Sequence, residues 1–265
     1  MKIKICRSCG NKNFISILNL GNQPWCNDFI LKKNILKKQK TYPLHLVQCQ
    51  KCDLLQLNFT IPKETMFSKH DYLSSTTKTL KSFFLDLAKE NKKQFSLTKK
   101  SLILDIGGND GTQMLQYKKI GVKNVVNVES ASNIARISKK SGVKTFNNFF
   151  NLKFVRKNID KNSINLINAS GVFFHLEELH SVIRGINYCL DDHGVLIIQF
   201  MYAGAMIENN NFDSIYHEHL CLYTIQTLSK LLLLHNLEIF DCKFVDIHSG
   251  SVIAKICKRT SAMHK

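Results

Sequence analysis

No stretch of this chain is apolar for the ~18 consecutive positions that a membrane-spanning helix needs. Its amino terminus, MKIKICRSCG, also lacks the apolar core of a secretory signal. A cytoplasmic protein with no membrane partner is therefore expected. Internal repeats and low-complexity linkers are absent, which excludes a repeat architecture. Arginine is scarce: Arg7, Arg136, Arg156, Arg184 and Arg259 are five among 37 basic residues. A net charge of +17 could suit nucleic acid. Guanidinium, however, is the group best shaped for bidentate phosphate recognition, and the lysines are spread out, with pairs such as Lys92-Lys93 and Lys99-Lys100 reading as solvated faces. Nucleic acid is not an expected partner, although the surplus charge would help attract an anionic small molecule.

What is present begins with cysteine. Nine cysteines in a chain without an export signal argue against a disulfide framework, because a reducing compartment keeps thiols free and clustered ones there more often bind metal. Cys6/Cys9 and Cys49/Cys52 form two Cys-x-x-Cys pairs separated by 39 residues. Each pair sets two sulfurs on one turn, so the pairs can close on a tetrahedral zinc from opposite sides. Four protein ligands leave no open position, so this zinc is expected to be structural. Cys26, Cys189, Cys221, Cys242 and Cys257 are scattered and read as buried apolar fillers.

The chain is 265 residues long and 44% hydrophobic, enough for a small module beside an α/β domain. Residues 1–70 read as short strands and turns with little core of their own, which a zinc would staple. Over 71–98, Leu80, Phe83, Phe84, Leu87 and Ala88 recur at helical spacing and predict a connecting helix. The remainder, 99–265, alternates strands near 102–106, 124–129, 164–169 and 194–200 with helices near 112–120, 132–141 and 177–190. That alternation specifies a mainly parallel sheet covered on both faces. The tail breaks the pattern with a helix near 224–235 and two apolar strands, 237–246 and 250–257, close enough to pair antiparallel.

In Leu102 to Gly111, LILDIGGNDG, an apolar strand runs into glycines that let backbone approach a ligand. Glu129 closes the next strand, where a carboxylate can accept both ribose hydroxyls of a nucleotide cofactor. The Gly-x-Gly-x-x-Gly spacing is missing, which disfavours NAD. Further on, Tyr216-His217-Glu218-His219 follows a polar, helix-poor stretch. Four adjacent protic groups are costly to bury unsatisfied, so they face solvent or a cavity. His-x-His could hold a second metal, but no third ligand stands nearby. His175 follows the strand ending near Ala169, where sheets of this type place substrate-facing residues, though a lone histidine there is more often a core residue.

Together these residues resemble the zinc-module C-methyltransferases of nucleotide-linked keto-deoxysugars, a family within the S-adenosylmethionine-dependent methyltransferases. The likeness runs through the Cys pairs, LGNQP from Leu20 to Pro24, Asn27-Asp28-Phe29, the DIGGNDGT turn, IENNNFDSIYHEHL from Ile207 to Leu220, and His248-Ser249-Gly250-Ser251 in place of His-Gly-Gly-Ser. It implies a class I, Rossmann-like methyltransferase sheet ending in an antiparallel strand pair, preceded by a zinc-binding module. It assigns Asp105, Gly107, Asn109, Gly111 and Glu129 to the cofactor S-adenosylmethionine, and Tyr216, Glu218, His219, His175 and Tyr72 to catalysis. In such enzymes a histidine, here His219, removes the proton beside a sugar ketone, and the enolate carbon takes the methyl group. An imidazole of pKa about 6.5 is a competent base for that step. Tyr216 or Tyr72 could hydrogen-bond the enolate oxygen, while Glu218 could orient His219 or bind a substrate hydroxyl. Family members continue into a further domain that helps hold the nucleotide-sugar, whereas this chain ends at Lys265. That departure suggests a truncated product with little activity, a short variant acting on a smaller or differently held acceptor, or one half of a two-chain enzyme whose partner chain supplies the domain. Methylation of an amine or hydroxyl on another metabolite, and cofactor binding without turnover, are the alternatives.

Overall fold

The computed structural model describes residues 1–247 and 250–261. His248 and Ser249 lie outside the described residues. The chain opens with an antiparallel pair, β1 (Phe14–Pro24) and β2 (Thr41–Cys49), followed by the short β3 (Leu55–Leu57) and the one-turn helix α1 (Lys63–Phe67). Next comes α2 (Lys78–Gln94), whose first turn is capped by the Thr77 hydroxyl accepting the Leu80 N–H. Its buried stripe, Phe84, Leu87, Ala88 and Asn91, packs on the following domain.

That domain runs β4 (Leu102–Ile106), α3 (Thr112–Lys119), β5 (Asn124–Glu129), α4 (Ser132–Lys140), β6 (Lys144–Asn147), α5 (Leu152–Asn158), β7 (Ile164–Ser170), α6 (Leu179–Cys189), β8 (Leu190–Met201), α7 (Ala203–Glu208), β9 (Cys221–Leu222), α8 (Ile225–Leu233), β10 (Leu237–Val245) and β11 (Ser251–Lys258). Seven strands form one sheet in the order β10-β11-β8-β7-β4-β5-β6. β6 through β8 are parallel, while β11 lies antiparallel between β8 and β10. The expected closing pair is therefore present, with its second strand inserted next to β8. This is the class I methyltransferase arrangement.

The sheet order reverses between β4 and β7, so the chain leaves these two neighbours in opposite directions. A crevice opens beyond their carboxyl ends. Ile103, Leu104 and Ile106 on β4 are buried, as are Leu166, Ile167 and Ala169 on β7, which is what a strand covered on both faces requires.

Of the five scattered cysteines read as buried, Cys189, Cys221 and Cys257 are so, whereas Cys26 and Cys242 are exposed. Five elements have no counterpart in the sequence reading: the short α1, α7 and β9, and also β6 and α5. β6 reads Lys-Thr-Phe-Asn, too short and polar to show a period, and α5, at seven residues, has only about two turns of pattern. The small sheet also holds a surprise, for its order is β1-β2-β3-β9. Its last strand comes from the methyltransferase half of the chain, with Leu55 opposite Leu222 and Gln56 opposite Cys221. Leu44, Leu46 and Leu57 of the module accordingly share one core with Ile167 and Phe200.

Candidate active site and thiolate centre

The four paired cysteines converge, with all Sγ atoms within 4.8 Å of one another. Cys6 and Cys52 stand 3.6 Å apart and Cys9 and Cys49 3.5 Å. A tetrahedral zinc with Zn–S near 2.3 Å sets its sulfurs about 3.8 Å apart, so the donor set fits the ion. Local turns build it: Gly10, at φ +72°, and Asp53, at φ +67°, bend the chain after each pair. The Gln56 amide donates to Cys6 Sγ at 3.1 Å and the Lys51 N–H to Cys49 Sγ at 3.4 Å. Contact with Cys52 holds the Cys6 thiol down at about 4, and the same contact pushes Cys52 up. Sulfurs this close cannot all ionise without a cation between them.

A cavity of about 940 Å³ fills the crevice beyond β4 and β7. On its cofactor side, Gly107 has φ +62°, and a Cβ there would stand 2.8 Å from Val172 Cγ2. Gly108 is equally tight, since a Cβ would meet Asp105 Oδ2 at 2.5 Å. Glu129 closes β5 against the same cavity. Its Oε2 accepts the Asn109 N–H at 2.9 Å and its Oε1 the Ala131 N–H at 2.7 Å. Burial raises its pKa, and those backbone donors work against the rise. A carboxylate has about four acceptor positions, so both oxygens keep capacity for a ribose diol. Ala131, Ile134 and Phe149 continue the wall with apolar surface suited to a base ring. The glycine cradle and the carboxylate fit S-adenosylmethionine.

Three sequence-assigned cofactor residues serve this turn indirectly. Asp105 does not line the cavity: it is buried beneath Gly108, where burial raises its carboxyl well above the usual range. Gly111, at φ +80°, starts α3 and packs near Ser138 and Val143. Asn109 lines the cavity, yet its side chain is committed to the 70–76 segment. Its Nδ2 donates to Tyr72 O at 3.0 Å, and its Oδ1 accepts the Ser74 N–H at 3.0 Å.

Across the cavity, the 215–220 loop splits its four protic residues. Tyr216, Glu218 and His219 line the cavity. His217 points the other way, donating from Nε2 to Tyr42 O at 3.2 Å and so docking the loop on β2. His219 Nδ1 lies 2.7 Å from Ser214 O, and His175 Nδ1 lies 2.8 Å from Glu218 O. Carbonyls only accept, so both Nδ1 atoms carry protons and Nε2 is the lone-pair nitrogen of each neutral ring. The His219 ring packs on Tyr216, centroids 3.9 Å apart, and on Phe174 at 4.7 Å and His175 at 5.1 Å. Burial and the neighbouring Glu218 charge push the Tyr216 phenol up, so it stays protonated. Tyr72, half exposed at 47%, stands on the cofactor side of the cavity.

Glu218 does not hold the His219 imidazole. Its Oε1 accepts the Trp25 indole N–H at 2.8 Å and the Asn27 amide at 2.7 Å, and its Oε2 faces His70 Nε2 at 3.9 Å. Burial would raise this carboxyl, but His70, Asn27 and Trp25 outweigh it and hold the pKa at about 2. Trp25 and His70 escaped the sequence reading, and Asn27 appeared there without a role. A pairing across so much of the chain has no periodicity to betray it.

With the geometry established, comparison with known proteins places the chain. A family model described as a methyltransferase domain matches residues 67–241, and one described as a zinc binding domain matches residues 6–67. The chain belongs to the methyltransferase-domain family. The C-methyltransferase NovU from Streptomyces niveus is 24% identical over 249 residues, a match covering 94% of this chain and 59% of NovU. The chain thus spans well under two thirds of that relative. Among solved structures, the PH0226 protein from Pyrococcus horikoshii aligns with a TM-score of 0.57 at 13% identity, covering 71% of this chain and 94% of that one. Magnesium protoporphyrin IX methyltransferase from Synechocystis aligns with a TM-score of 0.52 at 10% identity, covering 67% and 83%. These likenesses speak for the fold. The cofactor of the domain is S-adenosylmethionine, and the metal of the Cys6, Cys9, Cys49 and Cys52 centre is zinc. Among the described residues, no helix is long and apolar enough to cross a membrane.

Proposed function

We propose that this methyltransferase acts on carbon, and that its acceptor is a nucleotide-linked keto-deoxysugar. The observation that carries the reading is the His219 ring, locked by Ser214 O with its basic nitrogen on Nε2 and packed on a protonated Tyr216 at the cavity wall. When bound, S-adenosylmethionine supplies an electrophilic sulfonium methyl. His219 Nε2 takes the proton from the carbon beside the ketone, and the charge left behind moves onto the ketone oxygen. The Tyr216 hydroxyl donates to that oxygen, stabilising charge where it develops. Tyr72 could supply a second donor from the cofactor side. His175 braces the loop through the Glu218 carbonyl, which fixes His219 one residue further on. Phe174 and the Tyr216 ring shield the base from water.

The likeness to NovU supports carbon as the acceptor atom, and the resemblance of the 207–220 stretch supports the sugar. Among the described residues, the cavity's lysines are Lys63 and Lys69, and Lys63 is already paired with Glu178. We therefore assign recognition of a diphosphate to protein beyond this chain, such as a partner chain. One observation favours a second reading, an amine acceptor: Asp71, Glu177, Glu178 and Glu218 make the cavity acid-rich.

The test separates the proton step from methyl transfer. With S-adenosylhomocysteine in place of the methyl donor, nucleotide-linked keto-sugars in heavy water should take up deuterium beside the ketone. His219→Ala should slow that exchange by about 10²–10⁴-fold. Exchange at the same rate in wild type and variant would remove His219 from the role of base.

A further inference from the structure

His70 is held by the cofactor fold yet aimed at the acceptor side. Its backbone N–H donates to Asn133 Oδ1 at 3.2 Å, and its carbonyl accepts the Asn133 amide at 2.6 Å. Asn133 lies in the first turn of α4, directly after the Glu129 strand end. The ring is fixed as well, because the Tyr72 N–H donates to His70 Nδ1 at 3.0 Å. Nδ1 is therefore the lone-pair nitrogen, and the proton of the neutral ring sits on Nε2, the atom facing Glu218 Oε2. Phe67 stacks on the ring at 6.4 Å and also touches His175.

At 3.9 Å the contact is longer than a hydrogen bond and acts through charge once the ring is protonated. Oε2 thus keeps acceptor capacity on a residue that lines the cavity, while Oε1 is occupied by Trp25 and Asn27. Among the described residues, the charged groups that act on His70 are Glu218 in the 215–220 loop, Glu129 at the end of β5 and its own neighbour Asp71, and all three are acidic. Around Glu218 stand His70, His175, Tyr216 and Cys26.

From this geometry we infer that His70 is a positioning residue, tying the Glu218 carboxylate to the cofactor fold so that Oε2 can accept a hydroxyl or ammonium hydrogen of the acceptor. The assignment of an acceptor to this cavity rests on the function proposed above, whereas the His70–Glu218 link is a property of the protein alone. It gives Glu218 the acceptor-binding alternative of the two roles open in the sequence, since Ser214 O already orients His219.

The test needs no acceptor, so its failure is distinct from a failure of the methyl-transfer reading. Imidazole resonances of the zinc-loaded chain are followed against pH by nitrogen-edited NMR, with His70→Phe identifying the His70 signal. In wild type, Glu218 raises the His70 titration above the ordinary imidazole value, the neutral ring being protonated on Nε2. In Glu218→Gln the midpoint should fall toward that ordinary value. A histidine that merely fills space would titrate alike in both proteins, and that result would overturn the proposal. Should Glu218→Gln fold poorly, Trp25 carries the same question. It is the single tryptophan, and its indole N–H donates to Glu218. Its indole resonance should move in His70→Phe, and an unmoved resonance in that folded variant would equally overturn the link.

Discussion

A carboxylate and an imidazole are readable as residue types, but the direction in which each points decides what it does. Glu129 and His219 face the cavity, whereas Asp105 and His217 are turned away into packing. β4 is buried on both faces, so no alternation in Leu102 to Ile106 tells which side receives Asp105. Gly107 is the residue where the space argument is sharpest. A side chain there meets Val172 and must also hold φ at +62°, which costs a branched residue about 1–2 kcal/mol or more. Gly107→Val is expected to lower the melting temperature and to abolish calorimetric binding of S-adenosylhomocysteine. Glu129→Ala should weaken that binding and also lower stability by about 2 kcal/mol, because two backbone hydrogen bonds to its buried carboxylate are given up. Equal binding by all three proteins would move the cofactor away from this turn.

At the scale of elements, the strand and helix alternation was legible from Leu102 to Lys258, and the closing antiparallel pair with it, because long buried strands carry dense apolar runs. β6 and α5 were not legible, being too short for a period to develop. Nor was the segment from His70 to Thr76, which ends in a 3-10 turn at Ser74–Thr76 and is fastened by side chains from elsewhere. Asn109 fastens Tyr72 and Ser74, Asp110 Oδ2 accepts the Ser75 N–H at 2.9 Å, and Asn133 brackets His70. The cofactor turn thus secures the segment that carries Tyr72 and His70. Asn109→Ala removes two of these bonds and also places alanine at φ +51°. Asn109→Gly removes the same bonds while relieving the backbone. Each bond is worth about 1 kcal/mol, so both variants should expose 70–76 to faster amide exchange, with the alanine protein the less stable. Unchanged exchange in both would mean the segment is held by its packing.

At the scale of the whole molecule, the zinc module is part of the cavity wall that carries Glu218, the wall proposed to meet the acceptor. β9 completes its sheet, His217 docks on Tyr42, and the chain following β1 delivers Trp25 and Asn27 to Glu218. The cofactor wall, by contrast, is built from Gly107, Glu129 and their neighbours in the large sheet. The thiolate spacing was plain in the sequence, but this consequence was not, since it depends on the pairing of Leu55 with Leu222. Zinc bound only to the folded state stabilises it by linkage, so verified chelation should lower the melting temperature. Because Trp25 is the single tryptophan, its emission reports the acceptor wall without interference and should shift as the module loosens. Binding of S-adenosylhomocysteine, measured below the lowered transition, should survive. If zinc loss instead leaves Trp25 emission in place and removes cofactor binding, the metal supports the large sheet and the division of walls between the two sheets is wrong.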